Sequence, residues 1–214
     1  MSGTSVVPYQ TKRRPEMKPA IDTYNEIIPP LDYSFCGVEQ IADMNDEEPR
    51  PPISPRGKGK QRVQQEGSKS DGRCLKFNNN SITNLECLID FAQLKFTDWT
   101  EIAWIDLSHN ELTKIGPELT EFVNLQILYL HGNGIQDPAQ IDQLVPLKSL
   151  RKLTLHGNPV ESTKGYRWLV LSKLPQLHCL DFSCVTKAEK KTAATWDTMN
   201  CWGLKKKKKI QEDE

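Results

Sequence analysis

LQILYLHGNGI, at residues 125–135, is the stretch of this chain that decides its fold. The same phrase, written L-x-x-L-x-L-x-x-N-x-L, recurs as IAWIDLSHNEL at 102–112 and as LRKLTLHGNPV at 150–160. A phrase that returns about every 20–29 residues predicts a stack of one repeated strand-and-turn unit. Such a stack has an open, curved face that typically binds other molecules. The repeat therefore directs attention to binding rather than to catalysis.

An asparagine follows the strand in each copy of the phrase. Asn110, Asn133 and Asn158 lie 23 and 25 residues apart. The side-chain amide can satisfy backbone groups of the turn that would otherwise be buried without partners. Because a buried amide offers no acid–base chemistry, the sequence predicts a structural ladder of asparagines and not a catalytic set.

The leucines of the phrase predict which side chains point inward. Leu128 and Leu130 are two residues apart, which is the period of a strand, so we expect both in the core together with Leu125. The residues between them, Ile127 and Tyr129, should then face outward on the concave side of the sheet.

The repeat can be extended in both directions. Upstream, CLKFNNNSI at 74–82 fits the second half of the phrase, and NLECLIDFAQLKF after it has the spacing of a helix on the convex side. Downstream, LHCLDFSCV at 177–185 keeps the inward pattern as far as Phe182, but Val185 replaces the asparagine. The asparagine ladder should therefore end before this segment.

The segment GYRWLVLSKLPQLHCLDFSCVTKAE resembles the cap that closes many intracellular leucine-rich-repeat domains. Its Tyr-Arg pair, helix, Leu-Pro-x-Leu step, Leu-Asp strand and Val-Thr turn match at Tyr166, Arg167, Leu174, Pro175, Leu177, Leu180, Asp181, Val185 and Thr186. A cap is needed because the last repeat would otherwise expose its apolar face to water.

The chain as a whole resembles the intracellular leucine-rich-repeat family with a C-terminal cap, over roughly residues 27–200. Besides the repeats and the cap, PPLDYSF at 29–35 and FSCVTKAEKKTAATW at 182–196 carry this resemblance. It implies an α/β solenoid of about five repeats. A short curved parallel β-sheet would line one side, and helices and turns the convex side.

The composition outside the repeats predicts flanking segments. The stretch at 50–73 is basic and poor in apolar residues, so it cannot bury enough surface to offset its ordering entropy. The predicted segments are a disordered N-terminal tail at 1–26, an extended docking segment at 27–49, a basic disordered linker at 50–73, a leucine-rich-repeat domain at 74–200 with its cap at 161–200, and a Lys-rich tail at 201–214. The docking segment carries Leu31, Tyr33 and Phe35, and it could dock either on its own solenoid or on a partner.

The overall composition fits one domain with unstructured flanks. The 214 residues are 37% apolar and 26% charged, with a formal net charge of zero. The sequence contains no run of 18 apolar residues, which would predict a membrane span, and its N-terminus lacks the apolar core of a signal peptide. We therefore expect a cytoplasmic protein without membrane insertion. Its six cysteines contain no C-x-x-C pair, so free thiols and no zinc site are expected.

The predicted binding surface is the concave face around Trp104 and Tyr129, because aromatic side chains are enriched at interface hot spots. The predicted partner-binding residues are Trp104, Asp106, Ile127, Tyr129, His131, Lys152, Thr154 and His156. The alternative is that the N-terminal segment or a neighbouring helix covers this face. His131 and His156 share one column, with His109 near its edge. Leu-His-Gly-Asn is, however, a common way to write this repeat, so no metal or cofactor is predicted.

The motifs of common enzymes are absent from the sequence. It has no G-x-G-x-x-G after a strand, no P-loop, no H-E-x-x-H and no G-x-S-x-G. An open solenoid also rarely excludes the water that catalysis needs removed. We therefore expect no catalytic residues and a non-enzymatic protein–protein interaction scaffold or adaptor.

The resemblance also bears on partners. Related capped solenoids are frequent in motile cilia and flagella, which implies axonemal protein partners; the alternative is a soluble cytoplasmic regulator of a phosphatase or another enzyme. The run Lys205–Lys209 could contact an acidic surface such as tubulin tails. No nucleic-acid partner is expected, because the concave face is mixed in charge and phosphate binding needs a continuous positive surface.

Overall fold

Six parallel strands lie side by side in chain order and are followed by one antiparallel strand. This computed structural model describes residues 29–51, 69–196 and 198–199. The strands are β1 (Leu31–Asp32), β2 (Cys74–Lys76), β3 (Trp104–Asp106), β4 (Ile127–Tyr129), β5 (Lys152–Thr154), β6 (Cys179–Leu180) and β7 (Ser183–Cys184). Each repeat thus places its strand beside that of the repeat before it, and the predicted α/β solenoid is confirmed.

The segments between the strands, and the segment after β7, form helices on the opposite side of the core. The α-helices are α1 (Leu88–Lys95), α2 (Tyr166–Lys173) and α3 (187–196). The short 3-10 helices are Ile41–Asn45, Trp99–Glu101, Pro117–Glu121, Pro138–Leu144 and Pro159–Ser162. Proline opens three of these 3-10 helices. Its fixed φ suits a first turn, where its missing N–H would have had no intrahelical partner.

The core lies between the sheet and this helical layer. Leu128 stands in register with Ile105 on one side and Leu153 on the other, and all three are fully buried. Leu125 and Leu130 are fully buried as well, so the inward positions predicted from the strand period are confirmed. A buried Leu or Ile side chain contributes about 1.5–3 kcal/mol, so this repeated layer supplies much of the stability.

The asparagine ladder joins each repeat to the one before it. The Nδ2 amide of Asn133 donates to Leu130 O at 2.9 Å in its own repeat and to Leu107 O at 3.0 Å in the preceding repeat. Its Oδ1 accepts from the Leu112 backbone N–H at 3.0 Å. Asn110 and Asn158 repeat this pattern, and Asn80 begins it. The structural role predicted for these asparagines is confirmed.

The N-terminal segment forms the first strand of the sheet. Tyr33 is fully buried, and its ring meets that of Phe91 edge-on, with the centroids 5.2 Å apart. The amide of Asn80 also donates to Tyr33 O and accepts from the Gly37 N–H, so the ladder includes this segment. The sequence left open whether this segment docks on its own solenoid or on a partner. Its described residues dock on their own solenoid. The sheet thus begins at Leu31, ahead of the start at residue 74 that the repeat pattern predicted.

A carboxylate takes over where the asparagine ladder stops. Asp181 Oδ1 accepts from the backbone N–H groups of Leu155 at 2.7 Å and His156 at 2.9 Å, and its Oδ2 accepts from the Tyr166 hydroxyl at 2.9 Å. Burial, and then the nearby Asp181 carboxylate, raise the pKa of Tyr166 above its usual range, so its hydroxyl stays a donor. Asp181 therefore satisfies the backbone N–H groups that directly follow β5.

The helix after this edge starts with a capping box. Thr186 Oγ1 accepts from the Glu189 N–H at 3.2 Å, and the Glu189 carboxylate accepts from the Thr186 N–H at 2.8 Å. Arg167 of α2 donates to the same carboxylate at 2.9 Å. The Thr186 N–H, followed by Arg167, lowers the pKa of Glu189 to about 2. Helix α3 is thus tied to the cap helix α2.

Other segments predicted from composition lie outside the described residues. These are the tail at 1–26, most of the linker at 50–73, and the Lys-rich tail at 201–214 with Lys205–Lys209. Within the described part of the chain, no helix has the length and apolar character needed to cross a membrane.

Candidate functional site

Two aromatic side chains stand together at the centre of the concave face. Trp104 of β3 and Tyr129 of β4 meet edge to face, with their ring centroids 5.8 Å apart. The Lys76 ammonium lies 5.6 Å from the Trp104 ring and 3.6 Å from the Asp32 carboxylate. The contact is diagonal across the parallel pair, because the register partner of Trp104 is Ile127 and Tyr129 lies two residues beyond it.

Phe182 joins this pair from the C-terminal end of the sheet. Its side chain is 60% exposed, and its ring centroid lies 5.5 Å from that of Tyr129. The prediction that Phe182 points inward is wrong. Strand β6 ends at Leu180, and Asp181 and Phe182 then form a left-handed two-residue turn with φ of 51° and 59°. Because the turn interrupts the alternation of side chains along the strand, the Phe182 ring lies over the concave face.

Two histidines complete the surface. The rings of His131 and His156 stack with centroids 4.7 Å apart and planes at 8°. Phe182 lies 5.7 Å from the first and 5.6 Å from the second. His109 meets His131 edge-on at 5.1 Å. We call Trp104, Tyr129, His131, His156 and Phe182 together the aromatic patch.

The surroundings of His131 disfavour the charged form of its imidazole. Burial, and then the neighbouring His156, lower the pKa of His131 below its usual range, against the opposing effect of Asp106. The Nδ1 atom of His131 lies 2.8 Å from the Thr154 hydroxyl, which fixes the orientation of the ring. The His131 ring, with its charged form disfavoured, therefore extends the aromatic surface. Among the described residues, no group of three or more His, Cys, Asp or Glu side chains is placed to hold a metal ion.

Three residues predicted for the binding surface are buried and do not contribute exposed area. Ile127 is only 3% exposed, since it stands in register between the longer side chains of Trp104 and Lys152. Asp106 turns back to accept from Ser108 N–H and Oγ. Thr154 is also buried. Lys152 is half-buried and borders the patch. For these three, the outward strand position is right but the predicted exposure is wrong.

The three residues predicted for the docking segment also divide into buried and exposed side chains. Leu31 and Tyr33 are buried in the core and are not available to a partner. Burial raises the pKa of Tyr33 to about 12. Phe35 is 63% exposed, with the Arg50 guanidinium 5.2 Å from its ring centroid. It lies at the N-terminal end of the sheet, beside Asn78, away from the aromatic patch.

A sequence model of the leucine-rich repeat family matches residues 53–209. Leucine-rich repeat-containing protein 51 of Macaca mulatta is 46% identical over 172 residues, which cover 80% of this chain and 86% of the relative. The Rattus norvegicus protein of the same name is 44% identical over 185 residues, covering 86% of this chain and 92% of the relative.

Among solved structures, the Drosophila melanogaster SNF/U2A′ complex contains a similar chain. It aligns with a TM-score of 0.49 at 24% sequence identity, covering 56% of this chain and 66% of that chain. The repeated phrase, the parallel sheet with its asparagine ladder and the family match over most of the sequence agree with one another. The chain belongs to the leucine-rich repeat family.

Proposed function

We propose that this protein is a non-enzymatic scaffold or adaptor that binds a protein partner through the aromatic patch. The proposal rests on the backbone conformation and the exposure of Phe182. Its backbone is left-handed, which costs a non-glycine residue about 1–2 kcal/mol, and its large apolar side chain remains mostly exposed. Strained residues of this kind cluster at functional sites. Burial of the ring against a partner would offset the strain.

The composition of the patch suits a protein partner. Aromatic side chains supply large, stiff contact areas and are enriched at the centres of protein interfaces. The stacked rings of His131 and His156 add flat area. The lowered pKa of His131 also reduces the cost of removing a charged group from water when its ring is covered. The ion pair of Lys76 with Asp32 stands at the margin of the patch, where interfaces are usually polar. We therefore expect a partner that presents apolar side chains.

A single substitution at the tip of the hairpin tests this surface. Phe182→Ala should weaken partner binding by about tenfold, which corresponds to a loss of about 1.4 kcal/mol. The partner is first recovered by affinity purification with the intact protein from ciliated tissue, and its affinity is then measured by titration calorimetry. Val123→Ala removes an equally exposed apolar side chain outside the patch and is the matched control. Equal losses in both variants would show that the patch is not the binding surface.

We further propose that the scaffold works in the cytoplasm, within a ciliary or flagellar axonemal assembly. The support is the resemblance to capped solenoids that are frequent in motile cilia. The lysine run Lys205–Lys209 is proposed to contact an acidic surface such as tubulin tails, by charge attraction.

Extraction of isolated cilia tests this location. After the membrane is removed with detergent, the protein should stay with the axonemal pellet. It should be released at about 1 M salt, where the Debye length falls to about 3 Å and exposed charge pairs are screened. A chain shortened to remove Lys205–Lys209 is the companion sample, and it should be released at lower salt. Complete release by detergent alone would contradict an axonemal role.

A further inference from the structure

Two cysteines face each other across the hairpin that ends the sheet. Cys179 of β6 and Cys184 of β7 are register partners in this antiparallel pair. The Val185 N–H donates to His178 O at 2.8 Å, so these flanking residues form a hydrogen-bonded pair. Because the two kinds of pair alternate along an antiparallel ladder, the cysteines form a non-hydrogen-bonded pair, whose Cα atoms lie about 4.5 Å apart. That separation falls within the window of about 4.4–6.8 Å found for disulfides.

Contacts that involve neither sulfur hold the two cysteine backbones in place. The Arg167 guanidinium donates to Leu180 O at 3.3 Å and to Cys184 O at 3.4 Å, so it bridges both strands of the hairpin. Asp181, directly between the strands, is anchored to the edge of β5 by its carboxylate. The thiols are therefore prealigned before any bond forms between them, which lowers the entropy lost on cross-linking.

Both sulfurs are reduced and open to reagents. Cys179 and Cys184 are free thiols, the first half-buried and the second exposed. Among the other cysteines of the described ranges, Cys74 is buried and Cys87 is exposed. Cys87 immediately precedes α1 and lies on no strand, so it has no cysteine as a strand partner and serves as an internal reference for an unpaired thiol.

We propose that Cys179 and Cys184 form a reversible oxidation site, at which a peroxide converts the two thiols into an intramolecular disulfide across the β6–β7 hairpin. The thiolate of one cysteine attacks an oxygen of hydrogen peroxide, so that an S–O bond forms and the O–O bond breaks; the products are a sulfenic acid and a hydroxide, which becomes one water with the proton that the thiol had released. The thiol of the other then attacks that sulfur, the S–S bond forms, and the hydroxyl leaves with the thiol proton as a second water. Two electrons from the two sulfurs thus reduce one peroxide to two waters. A dithiol reductant reverses the step by thiol–disulfide exchange.

The order of attack follows from the surroundings of the two thiols. Burial, and next the adjacent Cys184, hold the pKa of Cys179 above its usual range, which disfavours its thiolate. Cys184 is the exposed member of the pair and is oxidised first. Cys179 is then the resolving thiol.

The disulfide would act on the aromatic patch through the hairpin tip. The ring that it closes contains Asp181 and Phe182, the two left-handed residues of the turn. Closing this ring restricts the unfolded and frayed conformations of the hairpin. Oxidation therefore holds Phe182 over Tyr129 and the stacked histidines, and reduction removes that constraint.

Peptide mapping of the intact chain tests the site directly. Cleavage after Lys173 and Lys187 releases LPQLHCLDFSCVTK, which contains both cysteines and no others. After treatment with an equimolar amount of hydrogen peroxide and then an alkylating reagent, this peptide should be two hydrogen atoms lighter than its reduced form and carry no alkyl group. Dithiothreitol should restore two alkylation sites. Over the same treatment, the peptide containing Cys87 should remain alkylated.

One variant and a second readout complete the test. Cys184→Ser should leave Cys179 alkylated, and the disulfide should raise the melting temperature of the parent chain by about 2–6 °C but leave that of the variant unchanged. The proposal is overturned if both thiols of the peptide are alkylated after Cys87 has already been oxidised. It is also overturned if the cysteines proceed to sulfinic or sulfonic acid without the linked form. Neither outcome depends on partner binding, so this test is separate from that of the scaffold function.

Discussion

Replacing Trp104 and Tyr129 together with alanine should weaken binding of the protein partner by at least about 100-fold. The two rings pack edge to face at the centre of the aromatic patch, so the double variant removes both the contact area and its support for Phe182. Aromatic hot spots lose about 2 kcal/mol or more on truncation, and each 1.4 kcal/mol is about tenfold in affinity. Titration calorimetry of the purified variant with the recovered partner measures the change.

The control must separate lost contact from lost folding. Trp99→Ala is matched to this experiment, because Trp99 is also a half-buried tryptophan in an edge-to-face pair, with its ring 5.5 Å from that of Phe122. It packs against the hydrophobic core and not within the aromatic patch. We expect Trp99→Ala to lower the melting temperature and to leave the affinity of the folded protein unchanged. If the double variant binds as tightly as the parent chain, the concave face is not the binding surface.

Replacing Asn133 with alanine should destabilise the fold by about 3–6 kcal/mol. The substitution leaves the Leu112 N–H and the carbonyls of Leu107 and Leu130 without the amide that now satisfies them, all in the buried interior. A buried polar group without a partner costs about 1–3 kcal/mol. Since domains of this size are stable by only about 5–15 kcal/mol, this one change could remove a large part of the total.

Urea denaturation measures this loss as a shift in the midpoint of unfolding. Asn84→Ala is the matched control, because the Asn84 Oδ1 accepts a single exposed bond from the Glu86 N–H at 3.0 Å. We expect that control to cost about 1 kcal/mol or less. Asn133→Asp loses both donated bonds and sets a buried carboxylate against the Leu107 and Leu130 carbonyls, so its midpoint should lie at or below that of Asn133→Ala. Equal midpoints for Asn133→Ala and Asn84→Ala would show that the ladder does not hold the repeats together.

Much of the fold could be predicted because its signal is local and repeated. The leucines two residues apart specify a strand face, and the asparagine after each strand specifies a turn whose backbone groups need a partner. The cap was also readable, since Tyr166 and Asp181 occur at its matching positions and make the bond that closes the edge. Less could be predicted for the N-terminal segment, because nothing in PPLDYSF specifies that Leu31 pairs with Leu75, more than forty residues along the chain.

The candidate site was predicted only in part. Trp104, Tyr129, His131 and His156 stand together as expected, because the period of the phrase sets their columns. Phe182 was missed because the strand period was extended past the point where the chain turns. The replacement of asparagine by Val185 was the available signal, since it marks a turn different from those of the earlier repeats.

The sequence by itself determined that the chain is a stack of strand-and-turn repeats, which leucines of the repeated phrase face its core, and where its asparagine ladder ends. Each of these depends on the character of a residue at a fixed interval from its neighbours in the same phrase. The tertiary structure alone decided that Ile127 is covered, that Phe182 lies over the stacked histidines, and that Cys179 faces Cys184. These facts depend on side chains that neighbouring strands bring alongside and on one left-handed turn. Contacts of this kind arise only when the strands pair, so no pattern within one repeat encodes them.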